Sequence, residues 1–127
     1  MPLVRIEITK GKSSDFKKKL LDIVHNALVN NIKIPDDDRR QRLYELEPEN
    51  FEKNGRGDDY MIIEITMFIG RSFEAKKKLY REIVDNISSL LNVPPNDITI
   101  VIHEPELQNW GIRGGIPASE ANVIINV

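Results

Sequence analysis

The chain contains no cysteine, so neither a disulfide frame nor thiolate chemistry is open to it. Its two histidines, His25 and His103, are too few and too far apart for a histidine-built metal motif. No metal or other cofactor is expected. The formal net charge is only −2, so there is no basic footprint for nucleic acid. No apolar run is long enough to span a bilayer, and no signal-peptide pattern opens the chain. A soluble cytoplasmic protein is expected. Its 127 residues suit a single domain, 1–127, large enough to bury a core unaided.

What the sequence does contain is a copy of itself. Gly11-Lys12-Ser13 returns as Gly70-Arg71-Ser72, an offset of 59 (70 − 11). The same offset sets Lys17-Lys18-Lys19-Leu20 on Lys76-Lys77-Lys78-Leu79, and Ile34-Pro35 on Val93-Pro94. It also sets Asp38 on Asp97, Glu45 on Glu104, and Asn50-Phe51 on Asn109-Trp110. The match runs without a gap through apolar, charged and turn positions. One unit fills residues 2–58 and the other residues 59–127, joined through a Gly-rich connector from Pro48 to Asp59.

Each unit reads strand-helix-strand. Val4, Ile6 and Ile8 alternate with Arg5 and Glu7, the period of a half-buried strand. Gly11 ends that strand, and Ser13 or Ser14 is placed to cap a helix whose apolar stripe is Phe16, Leu20, Val24, Ala27 and Leu28. Ile34-Pro35 stops the helix, and a second strand is expected from about Gln41 to Glu47. In the second unit the strand at Met61–Ile69 precedes a helix from about Phe73 to Leu91, and a strand follows from Ile98 to Glu104.

Two such units give an α+β fold, a four-stranded sheet with both helices on one face. The sheet's other face would carry Leu3, Arg5, Glu7, Ile62, Glu64 and Thr66. That mixture is too polar for a dry core and too apolar for open water, so a homo-oligomer is expected. Off the apolar stripes, His25 is expected in solvent and Glu82 beside Lys78 on an exposed helix face.

The chemistry centres on the second residue. If Met1 is removed, Pro2 carries a free secondary amine. A free α-amino group titrates near 7.7–8.0 when unperturbed, and burial beside cations lowers that value. Arg40, Lys12 and Arg71 are the candidate cations. A neutral amine would take a proton beside a carbonyl and return it at another atom, while an arginine steadies charge on the oxygen. Arg39, Arg40 and Arg42 crowd one strand start, which favours a role for Arg40. Asp38 and Asp97 also fit duplicated turn residues, Trp110 fits either a pocket wall or a subunit plug, and Arg113 fits either a ligand arginine or an interface ion pair.

Pro2, Gly11-Lys12-Ser13, Pro35 and Arg40, with the tail Asn109-Trp110-Gly111-Ile112-Arg113-Gly114-Gly115-Ile116-Pro117-Ala118-Ser119, resemble the tautomerase superfamily. Each half is similar to a short 4-oxalocrotonate tautomerase subunit, and the fused length is similar to malonate semialdehyde decarboxylase. The resemblance implies a homotrimer, a C-terminal hairpin, and Pro2 as catalyst with Arg40 and Asp38. It implies that Lys12, Arg71, Phe51 and Trp110 line the site of a small carboxylate-bearing substrate, to which Arg113 is added as a candidate ligand arginine. The decarboxylase's pair of arginines on the strand after the connector is replaced here by Met67 and Ile69. The expected activity is keto–enol tautomerisation of a small 2-oxo or 3-oxo acid by an isomerase with Pro2 as base. The alternatives are cofactor-free decarboxylation or hydration of a 3-oxo acid, and a catalytically weak trimeric binding protein.

Overall fold

The computed structural model describes residues 1–125. Strand β1 (Leu3–Thr9) leads into helix α1 (Ser14–Ile32) and strand β2 (Gln41–Leu46). Strand β3 (Met61–Thr66), helix α2 (Phe73–Leu91) and strand β4 (Ile98–His103) repeat the plan. A short hairpin of β5 (Gly111–Ile112) and β6 (Ile116–Pro117) follows. The sheet order is β2-β1-β3-β4, with β1–β2 and β3–β4 parallel and the central pair β1–β3 antiparallel.

The offset of 59 governs the local structure as well. Both helices begin and end at positions related by it. Ser13 Oγ accepts the Phe16 N–H at 3.1 Å, and Ser72 Oγ accepts the Ala75 N–H at 3.1 Å. Each cap satisfies an otherwise orphaned helix donor, an effect of about 1 kcal/mol. Gly11 and Gly70 precede these caps at φ of +123° and +120°, a region that side chains with a Cβ rarely enter. The ion pairs Lys17–Glu45 (3.0 Å) and Lys76–Glu104 (2.6 Å) are the same helix-to-strand contact made twice.

Strand register carries the repeat into the sheet. Val4 pairs with Gln41, and Ile63 pairs with Ile100. Across the centre, Arg5 lies opposite Glu64, its own counterpart, so the local twofold passes through that pair. Val4, Ile6, Ile8, Ile63, Ile65 and Met67 turn toward the helices and are fully buried with Leu20, Val24, Leu28, Leu79, Ile83 and Ile87. Ile63 is 0% exposed at the middle of this layer. Ile63→Ala should lower unfolding stability by about 2–5 kcal/mol, through lost transfer energy and the cavity left behind, measured as a shift in the urea midpoint.

Two surface expectations are corrected. Glu82 turns away from Lys78 and accepts from Asn30 Nδ2 at 3.0 Å and Asn31 Nδ2 at 3.1 Å, so it ties the helices together. His25 is not in solvent but 2% exposed, because the segment after α1 folds back over it. The open sheet face keeps its mixed character. Arg5 lies over the Tyr44 ring at 4.9 Å, and His103 Nε2 meets Glu64 Oε1 at 2.9 Å, while Tyr44 and Val101 stay 40% and 38% exposed.

Candidate active site

The direction of β3 decides which residues meet the chain's start. Because β1 and β3 are antiparallel, the beginning of β1 lies beside the end of β3. Gly70-Arg71-Ser72 therefore sits near Pro2, whereas Gly11-Lys12-Ser13 sits near Met61. The seven-residue β1 separates the two ends by about 20 Å, at about 3.3 Å per residue.

At the first end, Pro2 is buried. The Val4 N–H donates to the Arg40 carbonyl at 3.0 Å, which fixes the start of β1 against the start of β2. The amino terminus on Met1 lies 3.7 Å from Asp38 Oδ2, and Asp38 Oδ1 accepts from Arg40 Nη1 at 2.5 Å. One carboxylate thus bridges an amine and a guanidinium. Arg71, only 9% exposed, donates from Nη1 to the Phe68 carbonyl at 3.4 Å. Burial draws its pKa down and the charge of Glu104 opposes that, yet a guanidinium stays protonated at neutral pH.

The remaining wall is apolar. Phe68 and Trp110 meet edge to face with centroids 4.8 Å apart, and Met1 and Leu3 pack on the cluster they form with Ile112, Ala118 and Ala121. Trp110 Nε1 donates to the Pro105 carbonyl at 3.1 Å, which holds the indole in place. Burial lowers the pKa of the terminal amine below its ordinary 8.0. Asp38 raises it by charge and by a hydrogen bond, and Arg71 and Arg40 lower it further.

The structure therefore gathers Pro2, Asp38, Arg40, Arg71 and Trp110, and it separates three other expected residues. Lys12 is at the far end, where its Nζ meets Asp59 Oδ1 at 2.5 Å. Phe51 is there too, with its ring centroid 5.9 Å from that of Tyr60. They stand around Met61 as Arg71 and Trp110 stand around Pro2, so within one chain they cannot touch a ligand at Pro2. Met61 is a mid-chain residue without an amine, so this second pole has no base. Arg113 donates from Nη1 to the Ala121 carbonyl at 2.5 Å and closes the tail loop behind the apolar wall. Met67 is fully buried, so no cation stands at that position.

Two residues of the site neighbourhood are not evident from the sequence. Phe68 reads as the last residue of a mixed strand face, but β3 ends at Thr66 and frees it to pack on Trp110. For His25 the one available signal is the Pro35-Asp36-Asp37-Asp38 turn that follows it. Among the described residues no group of His, Asp or Glu side chains stands close enough to hold a metal ion. No helix among them is long and apolar enough to cross a membrane.

Fold and site define a doubled β-α-β protein whose N-terminal amine lies half-buried near a carboxylate, two guanidiniums and an aromatic wall. The chain belongs to the tautomerase family, and tautomerase activity is an isomerase activity. Family models described as "Tautomerase enzyme" match residues 2–58 and residues 38–113. The chain is similar to the protein named "Probable tautomerase YusQ" of Bacillus subtilis (strain 168), 30% identical over 121 residues, covering 91% of this chain and 95% of the relative. Among solved structures it is similar to FG41 malonate semialdehyde decarboxylase inhibited by 3-bromopropiolate, with 29% identity, a TM-score of 0.79 and 94% of each chain covered. It shares its fold with the R7 fused 4-OT asymmetric trimer, at 23% identity and a TM-score of 0.86, covering 95% of this chain and 99% of that one.

Proposed function

We propose that this chain is a proline-based tautomerase of small 2-oxo acids, working as a cytoplasmic homotrimer without a cofactor. The observation that carries this reading is the half-buried Met1 amine beside the buried Pro2, with Asp38 at 3.7 Å and a pKa lowered by burial and by the charges of Arg71 and Arg40. While Met1 is attached, the Pro2 nitrogen is a tertiary amide with no basicity. Removal of Met1 makes it a secondary amine about 3.8 Å further along the chain, in the same enclosure.

With an enol acid, Arg71 and Arg40 hold the carboxylate. Pro2 takes the proton of the enol hydroxyl, the electron pair of the O–H bond forms the carbonyl, and the C=C pair takes the proton back from Pro2 at carbon. The O–H bond breaks and a C–H bond forms, so nothing is consumed. A guanidinium next to the oxygen stabilises the charge that grows there. Phe68 and Trp110 offer the apolar wall for the rest of the substrate. Two facts support the trimer. The sheet's open face leaves Tyr44 and Val101 substantially exposed, and the R7 fused 4-OT, which shares the fold, is described as a trimer.

A second reading, decarboxylation or hydration of a 3-oxo acid, is favoured by Asp38 alone. Its carboxylate lies 3.7 Å from the Met1 amine, at the start of the chain where a water would have to be activated. The loss of cations at Met67 and Ile69 weighs against this reading.

The test combines intact-mass measurement with phenylenolpyruvate ketonisation. The purified protein should lack the mass of Met1, and kcat/KM should rise with pH as the Pro2 amine loses its proton, because only the neutral amine is a base. A fully retained Met1, or a processed protein with no rate on any enol acid, overturns the tautomerase reading. Decarboxylation that survives Asp38→Asn unchanged counts against the second.

A further inference from the structure

We propose that His25 is a positioning residue for the N-terminal amine, acting through the turn that carries Asp38. The proposal rests on the reading in which removal of Met1 leaves Pro2 as the base beside the same carboxylate. His25 Nε2–H donates to the Asp36 carbonyl at 2.8 Å, with Asp36 Oδ1 at 3.3 Å. A carbonyl oxygen only accepts, so the proton is on Nε2. The tethered residue lies in a turn closed by the Asp38 N–H, which donates to the Pro35 carbonyl at 3.0 Å. Two residues beyond the tether, Asp38 places its carboxylate between the terminal amine and Arg40. The imidazole therefore holds the backbone that aims this carboxylate.

The second unit is an internal comparison. Its counterpart of His25 is Val84, and its counterpart of Asp36 is Pro95. The same turn forms there, with the Asp97 N–H donating to the Pro94 carbonyl at 2.9 Å. The Pro95 ring sets φ where the first unit uses a hydrogen bond. Asp97 faces no chain terminus and instead meets Arg56 Nη1 at 3.2 Å. The turn thus does not require a histidine, and a buried polar ring costs stability unless it is bonded. The histidine occurs in the copy whose aspartate faces an amine.

The test is a ¹⁵N NMR titration of the Met1 amine in the full-length protein, Met1 included. That amine is faced by Asp38, Arg71 and Arg40. Asp38→Asn removes the group that raises its pKa and should lower the midpoint by about one pH unit. His25→Leu should move it the same way by about half as much or more, because the carboxylate is no longer aimed. His25→Gln, whose amide N–H can reach the Asp36 carbonyl, should titrate with the parent. A His25→Leu protein that melts earlier yet keeps the parent midpoint overturns the proposal. If His25→Leu does not fold, His25→Val with Asp36→Pro, the pair used in the second unit, replaces it. That protein should keep the parent midpoint, and displacement toward Asp38→Asn would refute a role exerted through the turn. The titration needs no turnover, so a protein without tautomerase activity overturns the proposed function while leaving this test intact.

Discussion

Pro2→Ala is expected to lower kcat/KM for phenylenolpyruvate by about 10²- to 10⁴-fold, the range associated with losing a positioned general base. The effect should fall on kcat. Arg71 and Arg40 remain in place to hold the carboxylate, so KM should change little. Alanine still offers a terminal amine, but without the ring that fixes φ and confines the nitrogen. A protein with Met1 still attached should be less active again, since its Pro2 nitrogen is an amide. Steady-state kinetics on both proteins, with the N-terminus of each verified by mass, decide this. Equal rates in the parent and Pro2→Ala would remove the amine from the mechanism.

Arg71→Ala is expected to cost about 10²- to 10³-fold in kcat/KM, comparable to the loss of one oxyanion donor. Arg71 is the better enclosed of the two arginines. Its side chain is nearly buried, whereas Arg40 is half exposed. An electrostatic contact in a water-poor place is screened less than one at the surface. Arg71 lowers the pKa of the Met1 amine, and a cation beside the Pro2 amine acts in the same direction, so its removal should move the rising limb of the pH–rate profile to higher pH. Arg71→Lys keeps the charge but loses the planar fork, and should recover the pH limb better than the rate. An Arg71→Ala protein with an unmoved limb and a loss below about tenfold would mean that the guanidinium does not face the amine.

Much of the fold is legible in the order of the residues. The helix limits at Ser14–Ile32 and Phe73–Leu91 follow from caps, glycines and prolines that neighbouring residues carry. The buried row Val4, Ile6, Ile8 follows from alternation alone. Pro2, Asp38 and Arg40 are also legible as a group, because parallel β1 and β2 start together. Lys12 and Phe51 are not, because a repeat offers two equivalent tripeptides and two equivalent aromatics, and spacing cannot say which copy faces the proline. The burial of His25 is hidden too, because the residue that covers it, Asp36, belongs to an irregular segment with no periodicity to read.

The sequence by itself determined the doubled unit, the elements within each copy, and the amine that Met1 removal would expose. These depend on residues close together in the chain. Only the tertiary structure decided that Arg71 and Trp110, rather than Lys12 and Phe51, join Pro2, and that Asp38 faces the terminus. That choice is made by the antiparallel hydrogen bonds between β1 and β3. Backbone amides and carbonyls pair in either direction, and only the assembled sheet shows which end of one strand lies against which end of the other.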